Sequence, residues 1–320
     1  MTDKQLDYIL TIAQEKNITR AAGKLMISQS SLSQLLSHVE QELGAELFSR
    51  DTQPLVPTYA GKLFLKSAQE ILEIKHNLLS KYAELKNERA GRIHIGMSQD
   101  RSWLFTPLII PNYIKQFPNV EIIFTEANQK ELTEMLIQGK LDLIFTIDPP
   151  ILNELSYQTL FSEQMLLILP SNSPICKELD GNSVQALHSL ESIPFILTRH
   201  GNNLRELADR ILGDLKISPR VLLESQSMDV CFRMSACGVG ASIVPDTIYY
   251  FRESRGHVYA LPLDEKYNRD IAIAYRKNMY ISFILAEFIR VAAENLLLAR
   301  RFHSRSGASL ASLFTPETEV

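Results

Sequence analysis

Cysteine is scarce in this chain of 320 residues: Cys176, Cys231 and Cys237 are all there is, and no two of them form a CxxC pair. That excludes a disulfide framework and a cysteine-built zinc site. If residues 229 to 237 are helical, a spacing of six sets Cys231 and Cys237 on different faces, so all three read as small buried hydrophobes. The histidines, at 38, 76, 94, 188, 200, 257 and 303, include no i, i+4 pair and no partner at a ligand spacing, so no metal or cofactor is expected. No apolar run reaches the roughly 20 residues a bilayer-spanning helix needs. The opening MTDKQLDYIL carries acids where a signal peptide would need a basic start. A cytoplasmic chain with no membrane partner is therefore expected. Positive charge is also lacking, since the net charge is -4. Any argument for a nucleic-acid partner must rest on local sequence.

What is present begins with three short helical patterns. Leu6, Ile9, Leu10 and Ala13 mark one amphipathic helix, and a second spans Thr19 to Leu25. Ser28 reads as the N-cap of a third, whose Leu32, Leu35, Leu36, Val39 and Leu43 recur at helical spacing until Gly44. Its other face offers Ser30, Ser33, Gln34, Ser37 and Gln41. A helix entering the major groove needs such donors and acceptors: Gln29 and Gln34 suit adenine, and Ser30, Ser31 and Ser33 suit bases or phosphates. An ordinary helical domain with a wetted polar face fits this pattern equally well.

From Thr58 to about Arg89 there is no proline, and one long helix is expected before Gly91. Phe64, Ala68, Ile71, Lys75, Leu78, Tyr82 and Leu85 step along it as a heptad seam interrupted by one lysine. Such a narrow stripe suits pairing with a second helix, so Phe64, Ala68, Ile71, Leu78, Tyr82 and Leu85 are expected to face a homodimer partner. Beyond Gly91, short strands alternate with helices, which predicts an α/β sandwich with largely parallel sheets. A final helix is expected from about Tyr280 to Arg301, followed by a disordered tail over 302–320.

The particular residues then narrow the reading. Asn17-Ile-Thr-Arg-Ala-Ala-Gly-Lys-Leu25, Ser28-Gln-Ser-Ser-Leu-Ser33, Glu40, Leu43-Gly-Ala-Glu-Leu-Phe-Ser-Arg50 and Pro57-Thr-Tyr-Ala-Gly61 together closely resemble the LysR-type transcriptional regulators. The resemblance implies an N-terminal all-α winged helix-turn-helix over 1–57, with Ser28 to Ser37 as recognition helix and Arg50 to Thr58 as wing region, Arg50 touching phosphate. Residues 58–90 become a linker and dimerisation helix. The remainder becomes a periplasmic-binding-protein-like effector domain of two α/β subdomains, 91–162 with 267–301 and 163–266. Ser30 stands where the family usually has proline, so base preference does not carry over.

Residues 1–60 hold five cations against seven carboxylates, a net charge of -2. A shallow salt dependence per subunit follows, so useful affinity for double-stranded DNA requires two or more copies, as a homodimer or homotetramer.

In the effector domain, Glu131 to Leu136 with Gly139-Lys-Leu-Asp-Leu143, and Gly238-Val-Gly-Ala-Ser-Ile-Val-Pro245, match the family pattern. Ligands of such sheets settle at the carboxyl ends of strands. A small-molecule effector of unknown identity is thus expected between the subdomains, against Ser98, Gln99, Asn128, Gln129, Thr198, Arg199, His200, Gly201 and Ser225 to Ser227. Each alone reads more readily as a helix cap or turn residue than as a ligand contact; their recurrence after successive strands is the argument. Arg101, Arg199 and His200 favour an anion, Asp100 and Asp148 an amine, and the sign stays open.

No catalytic motif completes itself. Gly96-Met-Ser98-Gln-Asp100 lacks the last glycine of a nucleophile elbow, and Gly238-Val-Gly240 has Ile243 where a dinucleotide loop needs glycine. No catalytic residue is assigned. The competing reading is a solute-binding or catalytic α/β module carrying a helical domain that does not bind DNA.

Overall fold

The apolar spacing of the first 43 residues yields three helices in the computed structural model: α1 (Asp3–Glu15), α2 (Ile18–Lys24) and α3 (Gln29–Leu43). The structure describes residues 1–49, 54–85, 89–176, 190–251 and 258–306, without the side chains of 73, 76, 80, 83–85 and 302–306. The chain divides into two compact units, Met1–Glu88 with Asn278–Ser282, and Arg89–Lys277 with the residues from Phe283 onward.

Each helix of the first unit starts on a cap. Thr2 and Gln5 form a reciprocal capping box on α1, the Asn17 side chain accepts from Arg20 N, and the Ser28 side chain accepts from Ser31 N. Gly44, at φ 69°, ends α3 in the left-handed conformation that glycine tolerates best. Leu6, Ile9, Ile12, Leu32, Leu36 and Val39 close over Ala21 and Ala22, which are fully buried because α2 lies tight against its neighbours. Where an all-α unit was expected, a short antiparallel ribbon also forms, β1 (Phe48–Ser49) with β2 (Val56–Pro57).

The long helix α4 (Tyr59–Leu85) follows at once. The Thr58 hydroxyl donates to Glu46 O at 2.6 Å and accepts from Gly61 N at 2.9 Å, so it fixes the helix start to the turn before β1. Gly61 is required there: a Cβ would stand 1.9 Å from the Leu47 carbonyl oxygen. The heptad expectation divides at this point. Phe64 and Ala68 are 8% and 1% exposed and belong to the core of their own unit, with Leu65 and Leu72 packed beside them. They are unavailable to a partner, which corrects their assignment to the dimer seam. Ile71, Leu78 and Tyr82 are exposed, together with Leu63, Ile74 and Leu79, which the seam omitted. The side chain of Leu85 lies outside the described set. Lys75, the break in the heptad, ion-pairs with Asp3 of α1.

The second unit is built on two sheets. One has the order β4-β3-β5-β12-β6, from β3 (Ala90–Met97), β4 (Asn119–Glu126), β5 (Leu143–Ile147), β6 (Leu155–Glu163) and β12 (Arg269–Arg276). Helices α5 (Gln99–Gln116), α6 (Gln129–Ile137) and α10 (Phe283–Ser306) belong with it. The other centres on β7 (Met165–Pro170), flanked by β10 (Ser242–Pro245) and β11 (Val258–Pro262). A bridge from Phe195 to Ala241 joins it to the parallel pair β8 (Phe195–Thr198) and β9 (Val221–Ser225). Helices α7 (Asn203–Asp214), α8 (Met228–Ala236) and α9 (Asp246–Tyr250) complete this half.

The sheets are mixed, not largely parallel. Strand β12 runs antiparallel to β5 and β6, and β7 antiparallel to both its neighbours. The reason is the chain path. Only Gln164 separates β6 in one half from β7 in the other, and β12 carries the chain back in the opposite sense. Gly240 lets β10 enter against the Pro194 carbonyl, 2.1 Å from where a Cβ would lie. Helix α10 continues to Ser306, beyond the expected end at Arg301, and the rest of the tail lies outside the described residues. Among the described residues no helix is long and apolar enough to cross a membrane.

Candidate DNA-reading face and effector cleft

Helix α3 turns Leu32, Leu36 and Val39 inward and leaves Gln29, Ser30, Ser31 and Gln34 exposed, with Ser33 and Ser37 half-buried. Around the exposed N-cap the hydroxyls are linked: Ser28 Oγ lies 3.0 Å from Ser30 Oγ and 2.7 Å from Ser31 Oγ. Gln29 Nε2 donates to Ser33 Oγ at 3.0 Å. The first turn is thus a ready set of neutral donors and acceptors, and Gln34 projects beside it. The approach to it, Leu25 to Ser28, turns through Met26 at φ 55°, a left-handed position with no glycine to announce it. Arg50 lies outside the described residues. Thr58 is described, and its hydroxyl is engaged with Glu46 and Gly61 as above. Buried Glu40 accepts from Leu47 N at 2.8 Å and ties α3 to the ribbon.

In the second unit a cleft of about 890 Å³ lies between the two halves. Its wall includes Ser98, Gln99, Asn128, Gln129, Arg199, His200, Gly201 and Ser227. All stand at strand ends or helix starts, as expected for a doubly wound arrangement. Thr198 is the exception. Strand β8 is buried on both faces, so Thr198 is 3% exposed and is not part of the wall. Gln129 donates Nε2 to Ile147 O at 2.9 Å.

Several wall residues escaped the sequence reading: Glu126, Asn202, Glu224, Met228 and Arg269. Most adjoin residues that were identified, and a wider margin at each strand end finds them. Arg269 had no such signal, because the crossing strand brings it in from far along the chain. It belongs to a buried group at that crossing. Glu163, at the end of β6, accepts from Arg101 Nη2, Arg269 Nη2 and Thr247 Oγ1. These four side chains come from β6, α5, β12 and α9, so one carboxylate joins both halves. Burial alone would raise the Glu163 pKa, but the Arg101 and Arg269 guanidiniums outweigh it and hold the carboxyl below its ordinary value. Nearby, burial pushes Asp246 up to about 6 despite Arg300 at 3.2 Å.

None of the three cysteines is in a disulfide; Cys176 and Cys231 are buried and Cys237 is exposed. Burial, with Asp100 adding to it, pushes the Cys231 thiol up to about 12, which leaves it unreactive at neutral pH. Among the described residues no cluster of His, Cys, Asp or Glu has a metal-holding arrangement.

A helix-turn-helix with a short ribbon, a long helix and a two-lobed cleft define a DNA-binding regulator with an effector-binding domain. Residues 4–62 match the family model described as a bacterial regulatory helix-turn-helix protein of the lysR family, and residues 86–297 match the LysR substrate binding domain. The chain belongs to the LysR family of transcriptional regulators, a family of regulators and not of enzymes, which disposes of the catalytic-module reading. It is 27% identical over 299 residues to the HTH-type transcriptional regulator BsdA of Bacillus subtilis (strain 168), covering 90% of this chain and 99% of that one. Full-length OxyR of Pseudomonas aeruginosa, in a variant form, has a TM-score of 0.65 at 25% identity, covering 93% of this chain and 95% of its own. CbnR, solved with its target DNA, shares the fold at a TM-score of 0.55 and 20% identity, covering 92% and 100%.

Proposed function

We propose that a small molecule bound in the cleft controls how copies of this chain are arranged on DNA, and through that arrangement controls transcription from within the cytoplasm. The observation that carries this is the origin of the cleft wall, which draws on both halves of a unit whose chain crosses between them. A ligand contacting Ser98 and Gln129 on one side and Arg199, His200 and Ser227 on the other has different affinity for different angles between the halves, which is the condition for shifting a population.

Pairing is supported by α4. Leu63, Ile71, Ile74, Leu78, Leu79 and Tyr82 leave one apolar side of it uncovered. A second copy of the same helix is the partner proposed for it. The -2 charge of residues 1–60 makes a lone reading head a weak DNA ligand, and two joined heads gain from effective concentration. On each head Gln29, Ser30, Ser31, Ser33 and Gln34 would face base edges, with Ser28, Ser37, Arg50 and Thr58 at the flanks.

A gel shift on the gene's own upstream region tests the DNA step. Ser33→Ala with Gln34→Ala is expected to weaken specific binding more than non-specific binding, and equal loss on both DNAs would move the reading helix elsewhere. A metabolite screen by thermal shift tests the effector step. A protecting compound should be lost to Arg199→Ala or Ser227→Ala, and protection unchanged in both would remove the cleft from the account.

A further inference from the structure

The cleft already contains a carboxylate, and it comes from the protein. Asp100, in the first turn of α5, crosses to the start of α8 in the other half. There its Oδ1 accepts from Ser227 Oγ at 2.8 Å and its Oδ2 from Met228 N at 3.2 Å. These are the N-cap and first residue of α8, a nine-residue helix. A helix N-terminus with a serine hydroxyl beside a free amide is a place for an oxyanion.

A second observation points to the same ligand chemistry. Arg269 is 4% exposed, forms part of the cleft wall, and its Nε has no hydrogen-bond partner. Arg101 is 2% exposed with an unpartnered Nε, and it lines a smaller cavity of about 40 Å³ that shares Ser98, Gln129 and Ile147 with the cleft. These two buried cations share one buried carboxylate, Glu163. Asp148 beside Arg269 and Asp246 beside Arg101 supply further negative charge, but the Nε donors of both guanidiniums keep no partner. Of the carboxylates on the wall, Asp100 is held by α8, Glu224 is paired with Arg205, and Glu126 is exposed at the end of β4.

We infer that the effector is a small oxyanion of carboxylate type, and that Asp100 is its internal stand-in, holding the two halves together at α8 until the ligand takes its place. The inference rests on the cleft being the effector site and adds the ligand's charge and the group it displaces. The wall cations alone would attract an anion anywhere in the cleft. The Asp100 contact locates one end of it at Ser227 and Met228.

The test vacates the place and refills it. In the full-length chain, Asp100→Ala should lower the Tm of the effector domain, and sodium acetate at about 100 mM should restore roughly 3 °C more than sodium chloride of equal ionic strength. Wild-type protein and Asp100→Asn, whose places are filled, should show no such difference. Asp100→Ser provides a second vacated place should the alanine variant fold poorly. Rescue by acetate but not by acetamide or methylammonium supports the inference. Rescue by all three alike, or by none in either vacated variant, overturns it while leaving the cleft reading to the metabolite screen. A screen in which only an amine protects the wild-type chain also overturns it. Acetate rescue in a chain that no metabolite protects overturns the effector reading, and the ligand assignment with it.

Discussion

Replacing Glu163 with glutamine keeps the shape of the side chain and removes its charge. The consequence is severe because Arg101 and Arg269, at 2% and 4% exposure, would then lose the one carboxylate that both are bonded to. Breaking a buried ion pair by neutralising one partner costs about 3–5 kcal/mol. For a domain of this size each kcal/mol moves Tm by about 2–4 °C, so Glu163→Gln should melt roughly 10 °C below wild type in a calorimetric scan. The pH dependence follows from the sign of the shift. The folded-state pKa of Glu163 is lowered, so its stabilisation is complete above the unfolded-state pKa and is lost as pH falls through the folded one. The difference in Tm should hold constant from pH 5 to 8, and close only below about pH 4. Adding Arg269→Met should recover part of the loss, because the repulsion needs both guanidiniums. A Glu163→Gln protein melting within about 1 °C of wild type at pH 7 would refute the reasoning.

Other consequences are more local. Gly61→Ala drives a methyl group into the Leu47 carbonyl, where no rotamer relieves it. It should cost the N-terminal unit about 3 kcal/mol and abolish DNA retention, and a wild-type melt would show that the turn yields. Leu78→Glu changes an exposed position, so Tm at high dilution should hold while sedimentation shifts toward the monomer; an unchanged mass would remove α4's outer side from the interface. With a thiol-specific colorimetric reagent the native chain should titrate Cys237 promptly, and Cys176 and Cys231 only after denaturant. Three promptly reactive thiols would contradict the burial.

What the sequence disclosed, and what it hid, divide along physical lines. Local signals survived intact: Ser28 caps α3 and Gly44 ends it, because caps depend on neighbours three or four residues away. Strand ends are also local, so most of the cleft wall could be named in advance. Two-body facts at long range could not. Whether an apolar stripe meets its own core or another chain depends on what lies opposite. Phe64 and Ala68 pack into the core of their own unit, whereas Ile71 and Leu78 stay exposed. Sheet sense was misjudged for the same reason, since an antiparallel crossing strand has the same composition as a parallel one. Arg269, more than 100 residues from Glu163, left no trace in any pattern. Thr198 failed differently: it ends a strand covered on both faces, where the period-2 rule assigns no open side.

The anchoring of α4 gives it a mechanical character. Phe64 and Ala68 are embedded in the core that holds α3, and Lys75 is tied to Asp3, so the reading helix and the first turns of α4 move as one body. From Tyr59 to Leu85 that body extends as an arm of 27 residues, about 40 Å at 1.5 Å per residue. Under the proposed pairing of α4 with a second copy, a tilt of about 5° at one end sweeps the other through about 3.5 Å. That is close to the 3.4 Å rise of one base pair. A tilt of that size, acting along the arm, is enough to carry a reading head from one step of the duplex to the next.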